Sequence, residues 1–488
     1  MNKRLKFALA ASCLVAGSNV VAAPWVDTSD EYLRASITAL ADGNIIKRPV
    51  NTYPLMWKGI AQDLRETNEA SVPEHLQFAW SHVKHALTQA QKEKKVAVKL
   101  AASSDEDGFQ SFGERHDAKG RLSVSSELMT DNLAVGLTVN VRGDSPDDRT
   151  LTLDGSYVSY SIGNWVISAD QVSSWWGPGK DSALGLSNNA RAFPAVRLTR
   201  HSAEPFDWPV LDWFGPWTFT TYIGQQESSN ALPDILLWGA RVGIRPHPKL
   251  EIGFTRTAQW GGQGRSKDFS DLWNVIKGSD NAGEIDPDAE PGNQLAGIDA
   301  RFSHTISGIP VGAYLEVIGE DEAGGLPSHT MHLVGVDMAF GDADSHYQAF
   351  AEFSDTYVDC GFNGTAGNCA YEHHLFPEGY RRYGRSMGST YDSDAQVFVL
   401  GVQNFTASGF GWFSKVKLMK LNKDNSNNES FVNPVAAVGE DRVQFDAGVQ
   451  FPLFKGLAKV SGYIYQADRD EGGNKTDGLI RASWEYRL

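Results

Sequence analysis

From Lys95 to the end of the chain, apolar and polar side chains alternate with a two-residue period, and this rhythm limits the fold more than any other feature of the sequence. Leu133, Val135, Leu137, Val139 and Val141 alternate with Ala134, Gly136, Thr138 and Asn140. Val443, Phe445, Ala447, Val449 and Phe451 alternate with Gln444, Asp446, Gly448 and Gln450. The final segment sets Ile480, Ala482, Trp484, Tyr486 and Leu488 against Arg481, Ser483, Glu485 and Arg487. Successive side chains on a strand point to opposite faces, so each segment is a ribbon with one apolar and one polar side. A barrel in lipid turns the apolar side outward and the polar side inward.

The pattern predicts about eighteen antiparallel strands, from 95–102 to 479–488, with residues 164–174 and 194–200 among them. An even count suits a bacterial barrel and puts both termini on one side. Connection lengths give a second, independent signal. Those at 129–132, 246–249, 305–309, 341–344, 406–408 and 452–456 are short, and those at 103–120, 175–193, 260–293, 358–394 and 421–440 are long. Outer-membrane barrels sort their connections this way, with short periplasmic turns and long extracellular loops. One connection breaks the order: 201–214 belongs with the short turns, yet it is long and rich in Trp and Pro. No stretch after the first residues reaches the ~20 apolar residues that a membrane-spanning helix needs. The last strand, aromatic and ending in a hydrophobic residue, resembles the signal read by barrel-assembly machinery, with Leu488 where Phe is usual.

Residues 1–22 read as a signal peptide, with Lys3, Arg4 and Lys6 ahead of a short apolar run from Phe7 to Ala16 and cleavage expected after Ala22. The apolar run is too short to span a bilayer; lipidation at Cys13 is the competing reading. Removing this segment takes the formal charge from −16 to −19, because it carries three basic and no acidic residues. So acidic a chain is a poor fit to nucleic acid, which selects a basic face. With 41% hydrophobic and 21% charged residues the chain is not disordered by composition. Cys360 and Cys369 remain after cleavage, and in an oxidising compartment such a close pair reads as a disulfide closing a loop. Their spacing with His373 and His374 is not a zinc signature, and no metal or other cofactor is expected.

Residues 23–94 read as a small helical bundle ahead of the barrel, which takes up 95–488. Thr28 with Glu31 has the form of a capping box, followed by Leu33, Ile37 and Leu40 on one face. Trp57, Ile60, Ala61 and Leu64 mark a second helix. Ser71 and Glu74 open a third, which carries Leu76, Trp80, Val83 and Leu87. These stripes are packing faces. His82 and His85 are spaced to chelate a metal or simply to face solvent.

Two stretches then bring a family into view. Residues 175–182 (Trp175-Trp176-Gly177-Pro178-Gly179-Lys180-Asp181-Ser182), Leu186–Arg191 and Phe193-Pro194 resemble the most recognisable stretch of the capsule assembly Wzi family. Leu40–Ile46 and Asn51–Leu55 are similar to its periplasmic region. The resemblance implies an eighteen-stranded outer-membrane barrel with periplasmic helices, no enzymatic activity, and a pore largely closed by loops. It implies a lectin-like role, in which capsular polysaccharide or exopolysaccharide is bound and organised at the cell surface.

Sugars offer an apolar ring face and a rim of hydroxyls, which call for aromatic faces beside amide, carboxylate or guanidinium groups. Acidic sugars add a role for Arg. Trp175, Trp176, Asn188, Asn189 and Arg191 in one long loop supply that chemistry, as do Tyr380, Arg381, Arg382 and Tyr383 in another, with Tyr371 and Arg385 nearby. The same residues have other readings. Trp175 and Trp176 could join an aromatic belt at the lipid interface, Asn188, Asn189 and Arg191 could plug the lumen, and the arginines could be salt-paired in a solvated loop. The competing function is a substrate-selective porin. G-x-S-x-G, H-E-x-x-H and P-loop patterns are absent from the sequence; Gly179-Lys180 is followed by Asp181.

Overall fold

The computed structural model describes residues 24–113, 115–226, 232–277, 292–323, 326–358, 369–373, 375–425 and 432–488. The signal-peptide reading of 1–22, and Cys360, fall outside the described residues.

Eighteen antiparallel strands close on themselves. In chain order they are β1 (Lys94–Ser103), β2 (Gly120–Met129), β3 (Leu133–Gly143), β4 (Leu151–Thr152, resuming at Tyr157–Ile162), β5 (Trp165–Asp170) and β6 (Ala195–Arg200). Next come β7 (Trp217–Gln226), β8 (Ile235–His247), β9 (Leu250–Gly261), β10 (Gly292–Ile306), β11 (Ile309–Ala323) and β12 (Leu326–Gly341). The last six are β13 (Ser345–Asp355), β14 (Gln396–Thr406), β15 (Gly411–Leu421), β16 (Glu440–Leu453), β17 (Gly456–Arg469) and β18 (Lys475–Arg487). Each strand pairs with its neighbour in sequence, and β18 closes the cylinder on β1, with Arg481 opposite Ser103 and Arg487 opposite Ala97. Closure removes every sheet edge, which lets backbone polar groups cross lipid.

The alternation sorts as lipid demands. On β16, Val443 is 55% and Phe445 49% exposed on the outer face, while Gln444 between them is 1% exposed. The same inversion runs around the barrel, with Leu137, Ile167, Phe254, Val336, Leu400, Leu418 and Ile464 outside and Arg197, Arg241, Glu316, Asp337 and Lys417 inside. The apolar core therefore lies within the lumen, not between sheets. One cluster joins Ile37, Leu40, Ile60, Leu76 and Val83 to Trp175, and another gathers Trp176, Leu184, Tyr222, Tyr314, Tyr371 and Tyr380.

Helices α1 (Glu31–Asp42), α2 (Trp57–Glu66) and α3 (Glu74–Ala90) precede the barrel. They sit at the short-turn end, where Tyr32 stacks on Phe405 with centroids 5.1 Å apart. Helix α1 is capped by Asp30, whose carboxylate accepts from the Leu33 amide at 2.9 Å, and not by the expected Thr28. Asp30 occupies the position from which a short side chain reaches the exposed amides of the first turn. Helix α3 follows Pro73, with the Ser71 region in a separate turn of 3₁₀ helix at Glu69–Ser71. His82 turns into the seam between helices, with Nδ1 3.0 Å from the Ser36 hydroxyl, while His85 is exposed.

One further expectation changes. The strand predicted at 164–174 stops at Asp170, because the chain then leaves the wall and turns into the lumen. Asp170 marks the departure by holding Arg197 of β6 with both carboxylate oxygens at 3.2 Å. The aromatic connection after β6 runs over the short-turn end and contains a 3₁₀ turn at Asp212–Phe214.

Candidate functional site

The lumen is filled in layers, beginning at the short-turn end. Arg245 of β8 donates to the carbonyls of Ala41 and Ile46 at 2.6 and 2.8 Å, which satisfies the C-terminal end of α1. Arg301 of β10 bridges Asp42 of α1 to Asp337 of β12. Glu251 of β9 accepts the amides of Val50 and Asn51 at 2.9 Å each.

Above this layer the long connection 171–194 dives inward. Trp175 and Trp176 pair antiparallel with Tyr53 and Thr52, so two segments distant in sequence form a ribbon inside the barrel. Wall carboxylates grip its backbone. Glu352 of β13 accepts from the amides of Lys180, Asp181 and Ser182 at 2.5, 3.1 and 2.8 Å. Glu316 of β11 accepts from Leu184 and Gly185 at 3.1 Å each. These bonds satisfy five backbone amides of the connection inside the barrel. At the centre, Asp181 receives Lys415 at 2.9 Å, Lys417 at 3.5 Å and the Tyr391 hydroxyl. Burial alone would raise the Asp181 carboxyl; the two lysines and Tyr391 hold it far below the usual range. Burial lowers Lys180 to about 8, although Asp337 lies 2.9 Å away.

The long-loop mouth is closed by residues 369–395, which carry a small hairpin, Arg381–Arg382 against Arg385–Ser386. Arg381 is wholly buried on Asp392 and Glu372. Arg382 donates to the carbonyls of Arg191 and Ala192 at 3.1 and 2.6 Å. Arg191 pairs with Asp154 at 2.8 Å and with Asp147. Asn188 donates to the Gly113 carbonyl at 3.0 Å; Asn189 accepts from the Gln110 amide at 2.9 Å and donates to the Ser386 carbonyl at 3.2 Å. The Tyr380 hydroxyl reaches the Gly185 carbonyl at 3.2 Å.

The predicted sugar-binding residues therefore divide. Trp175 and Trp176 are fully buried in the lumen, so they are not an aromatic belt; Trp175 packs the plug onto the helical layer, and Trp176 packs it onto Tyr222 of the wall. Asn188, Asn189, Arg191, Tyr380, Arg381 and Arg382 are buried as well, each bonded within the protein. Burial takes these eight side chains out of reach of an external sugar and makes them the frame of the mouth. Tyr383 alone of the nine is partly open to solvent. Cys369 is disulfide-bonded, and it packs against the buried cluster beneath this surface.

The hairpin turns on two residues, Tyr383 (φ 52°) and Gly384 (φ 71°), both left-handed as a two-residue hairpin turn requires. That places the Tyr383 ring at the tip, with the guanidinium carbons of Arg382, Arg149 and Arg191 at 4.8, 5.3 and 5.4 Å from its centroid. Arg149 is exposed; Arg115 and Arg385 are half-buried beside it. Below the tip, Asp117 faces Arg115 and Arg121 at 3.3 Å each, and Arg142 at 3.2 Å. Burial works to raise the Asp117 carboxyl, but these arginines with Arg191 hold it well below the usual range. Arg191 joins the tip to an ion-pair network in which Arg115, Arg121 and Arg142 meet Asp117, Asp147 and Asp154, with Arg385 close enough to Arg115 to act on it electrostatically. Arg115 and Arg149 carry no signal in the sequence; each is one arginine in a polar loop.

Among the described residues, no cluster of three or more His, Cys, Asp or Glu side chains is arranged to hold a metal ion. A polar cavity of about 90 Å³ persists beside β15–β18, lined among others by Glu31, Asp107, Lys415, Lys417, Lys459 and Arg481. It has room for several waters.

Comparison with known proteins converges on one family. The family model described as capsule assembly protein Wzi matches residues 89–477. An uncharacterised 55.8 kDa protein of the cps region of Klebsiella pneumoniae is 31% identical over 409 residues, covering 83% of this chain and 79% of that protein. The solved structure of Wzi from Escherichia coli, an outer-membrane protein involved in group 1 capsule assembly and a carbohydrate-binding β-barrel, superposes with a TM-score of 0.81. It is 25% identical, and the match covers 94% of this chain and 98% of that one.

Proposed function

Because the chain belongs to the capsule assembly protein Wzi family, we propose that this outer-membrane barrel is a lectin that binds an acidic capsular polysaccharide or exopolysaccharide and organises it at the cell surface. The carrying observation is the Tyr383 tip, a partly exposed aromatic ring at the turn of the mouth hairpin, beside Arg149, Arg191 and Arg382. A ring face takes the apolar side of a sugar, and Arg149 with the half-buried Arg385 takes its carboxylates. In this reading the long loops face outward, the helices lie in the periplasm, and lipid with lipopolysaccharide surrounds the wall. Barrel-assembly machinery reads β18 during biogenesis.

Binding proceeds without turnover. Asp117 and Asp147 beside the tip are held in the ionised form by arginines, against the effect of burial, so neither suits a general acid. The porin reading has the filled lumen against it, since Glu316 and Glu352 bond the plug to the wall and Glu251 bonds the segment beneath it at Val50 and Asn51.

Deleting the gene and measuring cell-attached against released polysaccharide tests the role. The proposal expects polymer to move into the medium, with retention restored by the wild-type gene and not by one encoding Arg149→Ala, Tyr383→Ala and Arg385→Ala together. Normal retention in the deletion strain would remove it.

A further inference from the structure

The connection between β6 and β7 has no part in the plug or in the mouth, yet it exposes three large apolar side chains within six residues at the short-turn end. Its residues 205–217 read Pro-Phe-Asp-Trp-Pro-Val-Leu-Asp-Trp-Phe-Gly-Pro-Trp. Trp208, Val210 and Trp213 are 60, 61 and 59% exposed. Exposed aromatics grouped this way mark a contact surface.

The surrounding contacts show what the surface adjoins. Trp217 begins β7 in the outward register that continues through Phe219 and Ile223, the last of which is exposed on the outer wall. Phe206 stacks on Trp217 with centroids 4.5 Å apart and planes 14° from parallel. Arg200 covers the Trp217 ring at 3.8 Å and ties the connection down by donating to the carbonyls of Glu204 and Trp217 at 2.8 and 2.7 Å. Trp165 at the foot of β5 meets Phe219 edge-on at 6.1 Å. The connection thus continues the barrel's outer apolar wall around its rim.

Its backbone is fit for a low-dielectric surface. The amides of Leu211 and Asp212 bond to the Trp208 carbonyl at 2.9 and 3.0 Å, Phe214 to Leu211 at 3.2 Å and Gly215 to Asp212 at 2.9 Å. A turn that pairs four of its amides internally, and has no amide to pair at Pro205, Pro209 and Pro216, is suited to approach the headgroup region, where unpaired amides are costly. Tryptophan is the residue favoured at the membrane–water boundary, with its ring among acyl chains and its N–H toward headgroups.

We propose that residues 205–216 form an interfacial anchor that lies in the bilayer leaflet on the short-turn side, with Trp208, Val210 and Trp213 set at the phospholipid headgroup–acyl boundary. The anchor fixes the depth and tilt of the barrel on the β5–β7 side. This rests on the wall and its rim contacts, independently of what the mouth binds.

The test places an environment-sensitive fluorophore at Val210→Cys, and at Ala343→Cys in the exposed turn between β12 and β13 as a control on the same rim. Both proteins are reconstituted in phosphatidylethanolamine–phosphatidylglycerol vesicles. The proposal expects blue-shifted emission at position 210, strong quenching by lipids brominated high on the acyl chain and little by aqueous iodide; position 343 shows the reverse. Iodide quenching at 210 equal to that at 343 would overturn it. Protection from both quenchers would overturn it too, and would point to contact between copies.

Discussion

At the scale of single residues, the arginines of the mouth divide by partner. Arg381 is buried on Asp392 and Glu372, so Arg381→Ala takes the paired cation from two carboxylates in the mouth. Breaking one side of a buried pair costs on the order of 3–5 kcal/mol. The variant is expected to lower the thermal transition in detergent and to weaken the heat-modifiable folded band on gels. Arg149 is exposed and touches the Tyr383 ring. Arg149→Ala is expected to leave that transition within about 0.5 kcal/mol of the parent, while weakening binding of an acidic polymer roughly tenfold, or ~1.4 kcal/mol, by titration calorimetry. Titration adds a third case. Burial in the β6–β7 connection lowers His201 to about 4 from an ordinary 6.5. A histidine held neutral stabilises the fold fully above its ordinary pKa, and that contribution is lost as pH falls from about 6.5 through about 4. The thermal transition should drop across this window, and less so in His201→Gln. Burial lowers His82 too, so the drop does not vanish. None of these partners was legible in the sequence, because Arg381 and Arg149 are the same residue type in loops of similar composition. Only the fold tells which is paired below and which stands at the tip.

At the scale of elements, the strands were readable because their signal is local. A period of two needs only a few neighbours to declare itself, and lipid enforces it on every strand. The inward connection 171–194 was harder, since its partners come from afar: Trp175 pairs with Tyr53, and Lys180 to Gly185 hang from Glu352 and Glu316. A tryptophan pair between strands fits a membrane belt as well as a plug until those partners are known. The hairpin tip makes a prediction at this scale. Gly384→Val places a β-branched side chain at φ 71°, which disfavours the two-residue turn and displaces Tyr383. Gly384→Asn tolerates that backbone and should restore most binding. Equal affinity of both variants for the polymer would show that the tip's position is immaterial.

At the scale of the whole molecule, the barrel inverts the usual economy of a protein, with an apolar exterior, a charged wall inside, and a plug held to that wall by hydrogen bonds to Glu316 and Glu352 and by the ion pairs of Lys180 and Asp181. A closed lumen follows. In planar bilayers the protein should show no steady large conductance, the 90 Å³ cavity beside β15–β18 allowing at most a trace of small-ion leak. Replacing Glu316 and Glu352 by Ala removes acceptors for five plug amides and should introduce open bursts. The account joins that closed body to one claim, that the Tyr383 tip and the arginines beside it hold an acidic glycan. The most direct test compares wild-type binding to the strain's own purified surface polysaccharide with binding to the same polymer after its carboxylates are reduced to alcohols. Strong binding to the native polymer, lost on reduction and equally lost in the variant combining Arg149→Ala, Tyr383→Ala and Arg385→Ala, is the predicted result. Undiminished binding by that variant, or equal affinity for the reduced polymer, would contradict it.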